Sequence, residues 1–248
     1  MALTAGNIIS RASMIIQDLT QVRWPLGELT NWLNDSRREL AVVRPDIYSR
    51  METVTLVAGA KQSLPTGGLR LMDVPQNANG AAITVTQRGF LDQQNPSWHD
   101  TTNRSATIKH FMVDERNPST FWVYPPALAT ASVSLIYQKA PTDFSTALDA
   151  SGNVISTGGD ASTAGQLTSF EELYGGAMVD YVCYRAFSKD SEYAGNANRA
   201  NNHYQQFANA LGLGRQSDFA NSANANNVGG AVNRPIGGGV AGSAPPQR

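Results

Sequence analysis

One stretch, SFEELYGGAMVDYVCYRAFSKDSEYAGNANRANNHYQQFANAL from Ser169 to Leu211, limits what this chain can fold into more than any other. It reads as two helices with a tight joint near Ser188-Lys189-Asp190. The first has a capping-box pattern, Ser169 followed three residues later by Glu172. Its apolar stripe is Leu173, Ala177, Tyr181, Tyr184 and Phe187, spaced three and four apart as one helical face requires. Asp190 can cap the second, whose stripe is Tyr193, Ala197, Ala200, Tyr204, Phe207 and Leu211, and Gly212 stands where a left-handed terminal residue is wanted. Neither helix buries its stripe alone, so both need partners.

The start of the chain supplies them. Thr4 can cap a helix carrying Ile8, Ala12, Ile15, Ile16 and Leu19. Pro25 opens a second helix with Leu26, Leu29, Leu33, Leu40 and Val43 on one side, which ends before Pro45. At 100° per residue Arg37 falls among these leucines, and Asp180 falls between Leu173, Tyr184 and Phe187. The pattern predicts a structural pair, Arg37 with Asp180, across the helical pairs.

Residues 51 to 140 change period. Met51–Val57, Ala82–Gln87, Thr107–Val113, Thr120–Tyr124 and Ala131–Tyr137 alternate as strands do. Gly59-Ala-Lys61 marks a turn towards Gln62-Ser-Leu64, Asp114–Ser119 another, and Pro125-Pro126 a strand end. The expected fold is α+β: an antiparallel helical bundle of two N-terminal and two C-terminal helices, an inserted antiparallel β domain, and an extended C-terminal arm. In residues this gives an N-terminal helical pair at 1–50, the β domain at 51–144 and a polar Gly/Ser/Asp-rich loop at 145–168. The C-terminal helical pair follows at 169–212, then a low-complexity arm at 213–248, whose composition cannot bury a core.

Charge and chemistry exclude more than they assign. Nineteen Lys and Arg nearly balance twenty Asp and Glu, so net charge names no partner. Charged residues are 16% of the chain, a composition that suits large assembly interfaces. The single cysteine, Cys183, rules out an internal disulfide and a cysteine-based metal site. His99, His110 and His203 have no metal-ligand spacing. The Asp114-Glu115 and Glu171-Glu172 pairs sit at a turn and a helix start, where carboxylates are expected for local reasons. Gly237-Gly-Gly239-Val-Ala-Gly242 matches a dinucleotide fingerprint but follows Pro235 rather than a strand. Phe121, Trp122 and Tyr124 favour packing over base stacking. Arg37, Arg38, Arg44 and Arg50 could graze phosphates, but Asp35, Glu39 and Asp46 among them argue for a solvated face. No catalytic residues, metal ligands or cofactor are expected. The opening residues lack a secretory pattern and no apolar run is long enough to span a membrane, so a soluble, cytoplasmically made protein is expected.

Three stretches in register resemble one family. They are Val22-Arg-Trp-Pro-Leu26 leading into Trp32-Leu-Asn-Asp35 and Arg44-Pro-Asp46; Asp114–Pro118 leading into Phe121-Trp-Val-Tyr-Pro-Pro126; and Val179–Tyr193. Together they resemble the head–tail adaptor (connector or tail tubular) proteins of tailed bacteriophages, over roughly residues 4 to 212. The resemblance implies a virion structural protein, not an enzyme, at the head–tail junction. It implies a homo-oligomeric ring, commonly of twelve copies, that docks under the portal protein, encloses DNA without sequence-specific binding, and meets the tail nozzle and often fibres. On that basis Phe219, Val228, Val232, Arg234, Pro235, Ile236, Val240 and Arg248 are expected to grip the portal or a neighbouring subunit. Phe121, Trp122, Tyr124, Asp149 and Asp160 are expected to face the tail. The alternatives are a nozzle or fibre-attachment protein and a DNA-binding channel protein resting on the Arg37–Arg50 cluster.

Overall fold

The structure, a computed structural model, describes residues 3–100, 102–148, 154–156, 167, 169–190, 192 and 194–221. It divides into two units, Met1–Leu211 and Gly212–Arg248. Helices and sheets alternate along the chain, making it α+β.

Helix α1 (Ala5–Ile15) starts in a capping box: Thr4 Oγ1 accepts from the Asn7 amide, and Asn7 Oδ1 accepts from the Thr4 amide. Helix α2 (Leu26–Val43) follows Pro25, which stands one position before the helix as its N-cap. A single 3₁₀ turn, Pro45–Tyr48, ends it. Near the other end of the chain lie α4 (Ser169–Leu173), α5 (Gly175–Lys189) and α6 (Ala194–Asn221). Ile8, Leu29, Leu33, Leu40, Met178, Val182, Phe207 and Leu211 meet in one core, so residues far apart in sequence bury each other's stripes.

The strands build two sheets. One has the order β1 (Ser49–Thr55), β7 (Ser132–Lys139), β3 (Gly68–Asn77). The other has the order β2 (Gly59–Ser63), β6 (Thr120–Ala127), β5 (His110–Val113), β4 (Thr84–Val85). Val133, Leu135 and Tyr137 of β7 face Phe121 and Val123 of β6 in a shared core. On the other face of β6, Trp122 and Tyr124 pack on Trp98, Met112 and Leu91, the last from α3 (Arg88–Gln94). A small hairpin, β8 (Phe144–Leu148) with β9 (Val154–Ser156), occupies part of the segment expected to be a loop.

Several expectations are corrected. The β domain is not wholly antiparallel: β4 pairs parallel with β5, because the connection between them is a crossover that includes α3. Pro125-Pro126 does not end β6, which runs to Ala127. Proline lacks only a donor, and the Pro126 carbonyl still accepts from the Ser105 amide at 2.8 Å. The first C-terminal helix breaks at Tyr174, which resets its phase and leaves Leu173 exposed while Glu171 turns inward. Glu172 accepts from the Leu3 amide at 2.8 Å. Gly212 is interior to α6, which continues to Asn221, so the first part of the expected arm, 213–221, is helical.

Candidate functional site

Helix α2 carries Asn34, Arg37 and Ala41 at spacings of three and four, one row down one face, and Arg44 follows as its C-cap. Each holds a neighbouring segment. Asn34 accepts from the Phe144 amide at 2.8 Å and donates to its carbonyl at 2.9 Å, treating Phe144 as a strand would. The Ala41 carbonyl accepts from Gln138 Nε2 at 2.8 Å. Arg37 donates to Glu171 Oε1 at 2.8 Å and to the Thr142 carbonyl, with its guanidinium 4.2 Å from the Phe144 ring centre. Tyr48 donates its hydroxyl to the same Glu171 oxygen at 2.6 Å. Arg44 is paired with Asp46 and donates to the Tyr174 hydroxyl.

The central pair is out of water: Glu171 is 0% exposed and Arg37 6%. A carboxylate so placed is tolerable only with a cation and further donors on it, and Arg37 and Tyr48 supply both. Burial, then the Glu171 charge, pushes the Tyr48 phenol well above its ordinary range. In consequence both roots of the 145–168 segment, Thr142 and Phe144 on one side and Glu171 and Tyr174 on the other, are fixed to α2. The arrangement is an anchor, with its central charges buried.

The pair expected between Arg37 and Asp180 is not formed. Asp180 lies 2.8 Å from His203 Nδ1 of α6, and the His203 ring stacks on Phe187 at 5.7 Å. Helical phase placed both charges inward correctly but could not say which inward partner each meets. Of the four arginines read as a solvated or DNA-grazing cluster, Arg37 and Arg44 are buried, and Arg38 is paired with Asp35 and Asp143. Arg38 and Arg50 remain at the surface, so the cluster reduces to two exposed arginines, one of them paired. Among the expected tail-facing residues, Phe121 is fully buried in the sheet core. Trp122 and Tyr124 are half-covered, Trp122 under Arg88 and Tyr124 beside His110. Asp149 and Asp160 lie outside the described residues, as do Val228, Val232, Arg234, Pro235, Ile236, Val240 and Arg248. Phe219 falls within α6.

Glu171, Tyr48 and Asn34 went unread in the sequence. Glu171 looks like an ordinary first-turn carboxylate, and the one available signal was Asn34 and Arg37 sharing a turn on a leucine-rich helix. Cys183 is buried, and burial with the Asp180 charge pushes its thiol up to about 12. The described residues hold no group of three or more His, Cys, Asp or Glu placed to bind a metal, and no described helix is long and apolar enough to cross a membrane.

The SU10 adaptor protein family matches residues 3–229. The chain belongs to this family. As an SU10 adaptor it is a structural protein of the bacteriophage virion, a family not known for catalysis. The match extends past residue 212 into the start of the arm. No curated protein matches the sequence.

Proposed function

We propose that this SU10 adaptor is a head–tail adaptor whose copies form a ring beneath the portal, continue the DNA channel, and attach the tail nozzle and fibres. The family match over residues 3–229 is the observation that carries the reading. The four helices that share one core, two from 1–50 and two from 169–212, form the ring wall as a bundle. The domain at 51–144 and the hairpin segment at 145–168 face tail components. The 145–168 segment suits that role because the residues flanking it are fixed by buried polar bonds. Trp122, Tyr124, Asp149 and Asp160 remain the candidates on that side. The arm grips the portal or an adjacent subunit through Val228, Val232, Arg234, Pro235, Ile236, Val240 and Arg248, with Phe219 at its root. Twelve copies are the proposed number. The protein encloses DNA without reading sequence and catalyses no reaction.

Removing residues 222–248 tests this reading. The truncated protein should keep the melting temperature of the full chain but fail to dock on portal in negative-stain images of the mixture. Normal docking by the truncated chain refutes the role of the arm. A full-length chain that ignores portal refutes the adaptor assignment to the head–tail junction.

A further inference from the structure

The joint between α1 and α2 is built more rigidly than a connector needs. Gln17 and Gln21 both hold positive φ, at 59° and 54°, against the preference of a residue with a side chain. Asp18 keeps them there, its carboxylate accepting from the amides of Val22, Arg23 and Trp24 at 3.0, 2.9 and 2.9 Å. Those amide bonds, that to Trp24 foremost, also hold the Asp18 carboxyl below its usual range, so it stays anionic. Two ion pairs, Arg23 with Asp190 and Lys189 with Glu28, tie the joint to the turn between α5 and α6. This braced joint presents apolar side chains to solvent: Leu19 is 69% exposed and Val22 81%, with Met14 and Ile15 also exposed nearby in sequence. Strain and bracing spent on displaying aliphatic groups mark a contact surface.

At the other end of α2 lies a groove of about 480 Å³ between that helix, the 3₁₀ turn and the start of β3. Val42, Leu69 and Pro141 form its apolar wall, and Arg38 and Arg70 stand at it. Arg38 is occupied by Asp35 and Asp143, whereas Arg70 has no hydrogen-bond or ion-pair partner among the described residues. Pro25 and Val42 are about 25 Å apart at 1.5 Å per helical residue, so the joint cannot fill the groove of its own chain.

We propose that the α1–α2 joint of one copy docks into the α2–β3 groove of the next, with Leu19 and Val22 against Val42, Leu69 and Pro141 and Asp18 facing Arg70. The occupant is a second copy of this chain because the two patches match aliphatic to apolar and anionic Asp18 to Arg70, and belong to opposite ends of α2. Such a contact is head-to-tail and generates a ring when its rotation closes. The inference rests on the ring reading above and names the surfaces that make the ring.

Disulfide trapping tests it on the full chain, in which Cys183 is buried and silent. Leu19→Cys with Leu69→Cys should give an oxidised ladder of multimers ending in a closed species, and neither single variant should. Leu19→Lys, which sets an ammonium against the apolar wall of Val42, Leu69 and Pro141, should weaken assembly at least about tenfold without lowering the melting temperature, since Leu19 is exposed. Arg70→Glu, which sets a carboxylate against Asp18, should weaken it likewise. Rings that form with portal while the cysteine pair yields no ladder, or Leu19→Lys rings of normal strength, overturn this contact and leave the ring reading standing. A chain that forms neither ring nor ladder, alone or with portal, overturns both.

Discussion

Glu171→Gln isolates the charge of the anchor while keeping its shape. The amide still offers one oxygen to Arg37 and Tyr48, but the buried guanidinium loses its counter-ion. Breaking a buried pair from one side costs about 3–5 kcal/mol, because the remaining charge stays desolvated. That is a large share of the 5–15 kcal/mol or so that holds a domain folded. At roughly 2–4 °C per kcal/mol for a chain of this size, the melting temperature should fall by roughly 6–20 °C. Urea denaturation followed by circular dichroism gives the same quantity from the midpoint at unchanged slope. The triple replacement Arg37→Met, Tyr48→Phe, Glu171→Leu removes both charges and the hydroxyl that would otherwise lack an acceptor, and should lie close to the wild-type stability. Arg37→Met should couple strongly to Glu171→Gln and be additive with Asp180→Asn, whose partner is His203. A Glu171→Gln protein within about 1 kcal/mol of wild type, or additivity between positions 37 and 171, would refute the claim that this pair is desolvated and mutually dependent.

Three further outcomes follow from the packing. Phe121→Ala, in the centre of the sheet core, should cost about 3–5 kcal/mol in the same denaturation assay, where a solvent-facing aromatic would cost little. Asn34→Ala leaves the Phe144 amide and carbonyl without their side-chain partner and should cost roughly 1–3 kcal/mol, with faster hydrogen exchange at the Phe144 amide. Stability should fall as pH rises above about 9, because burial raises the Cys183 thiol and the Tyr137 and Tyr181 phenols to about 12. The unfolded chain releases these protons at ordinary pKa values of about 9 to 10 while the folded chain keeps them, so unfolding gains with each step of pH up to about 12. Melting curves between pH 8 and 11 measure it, and Cys183→Ala should shift the onset upward.

What the sequence alone determined is the part governed by period and local chemistry. Stripes at three and four placed α1 and α2 and brought Ile8, Leu29, Leu33 and Phe207 to the core. Thr4 announced its cap, and alternation found β1, β5, β6 and β7. Three motifs in register were enough to name the family. The ten-residue strand β3 escaped because its buried residues, Leu71, Val74 and Asn77, fall every third position. Bulges shift its register against β7, so no period of two survives. The break at Tyr174 had a local sign, the helix-weakening Gly175-Gly176 pair that follows it, but the apolar stripe runs across it as if through one helix, and with the break went the inward turn of Glu171. Helical phase says that Arg37 points inward; it carries no information on what waits there. Partner choice among buried charges is decided in tertiary space, when Arg37 and Glu171, 134 positions apart, or Asp180 and His203, 23 apart on different helices, are brought within 3 Å, and only the tertiary structure could give Glu171 to Arg37 and His203 to Asp180.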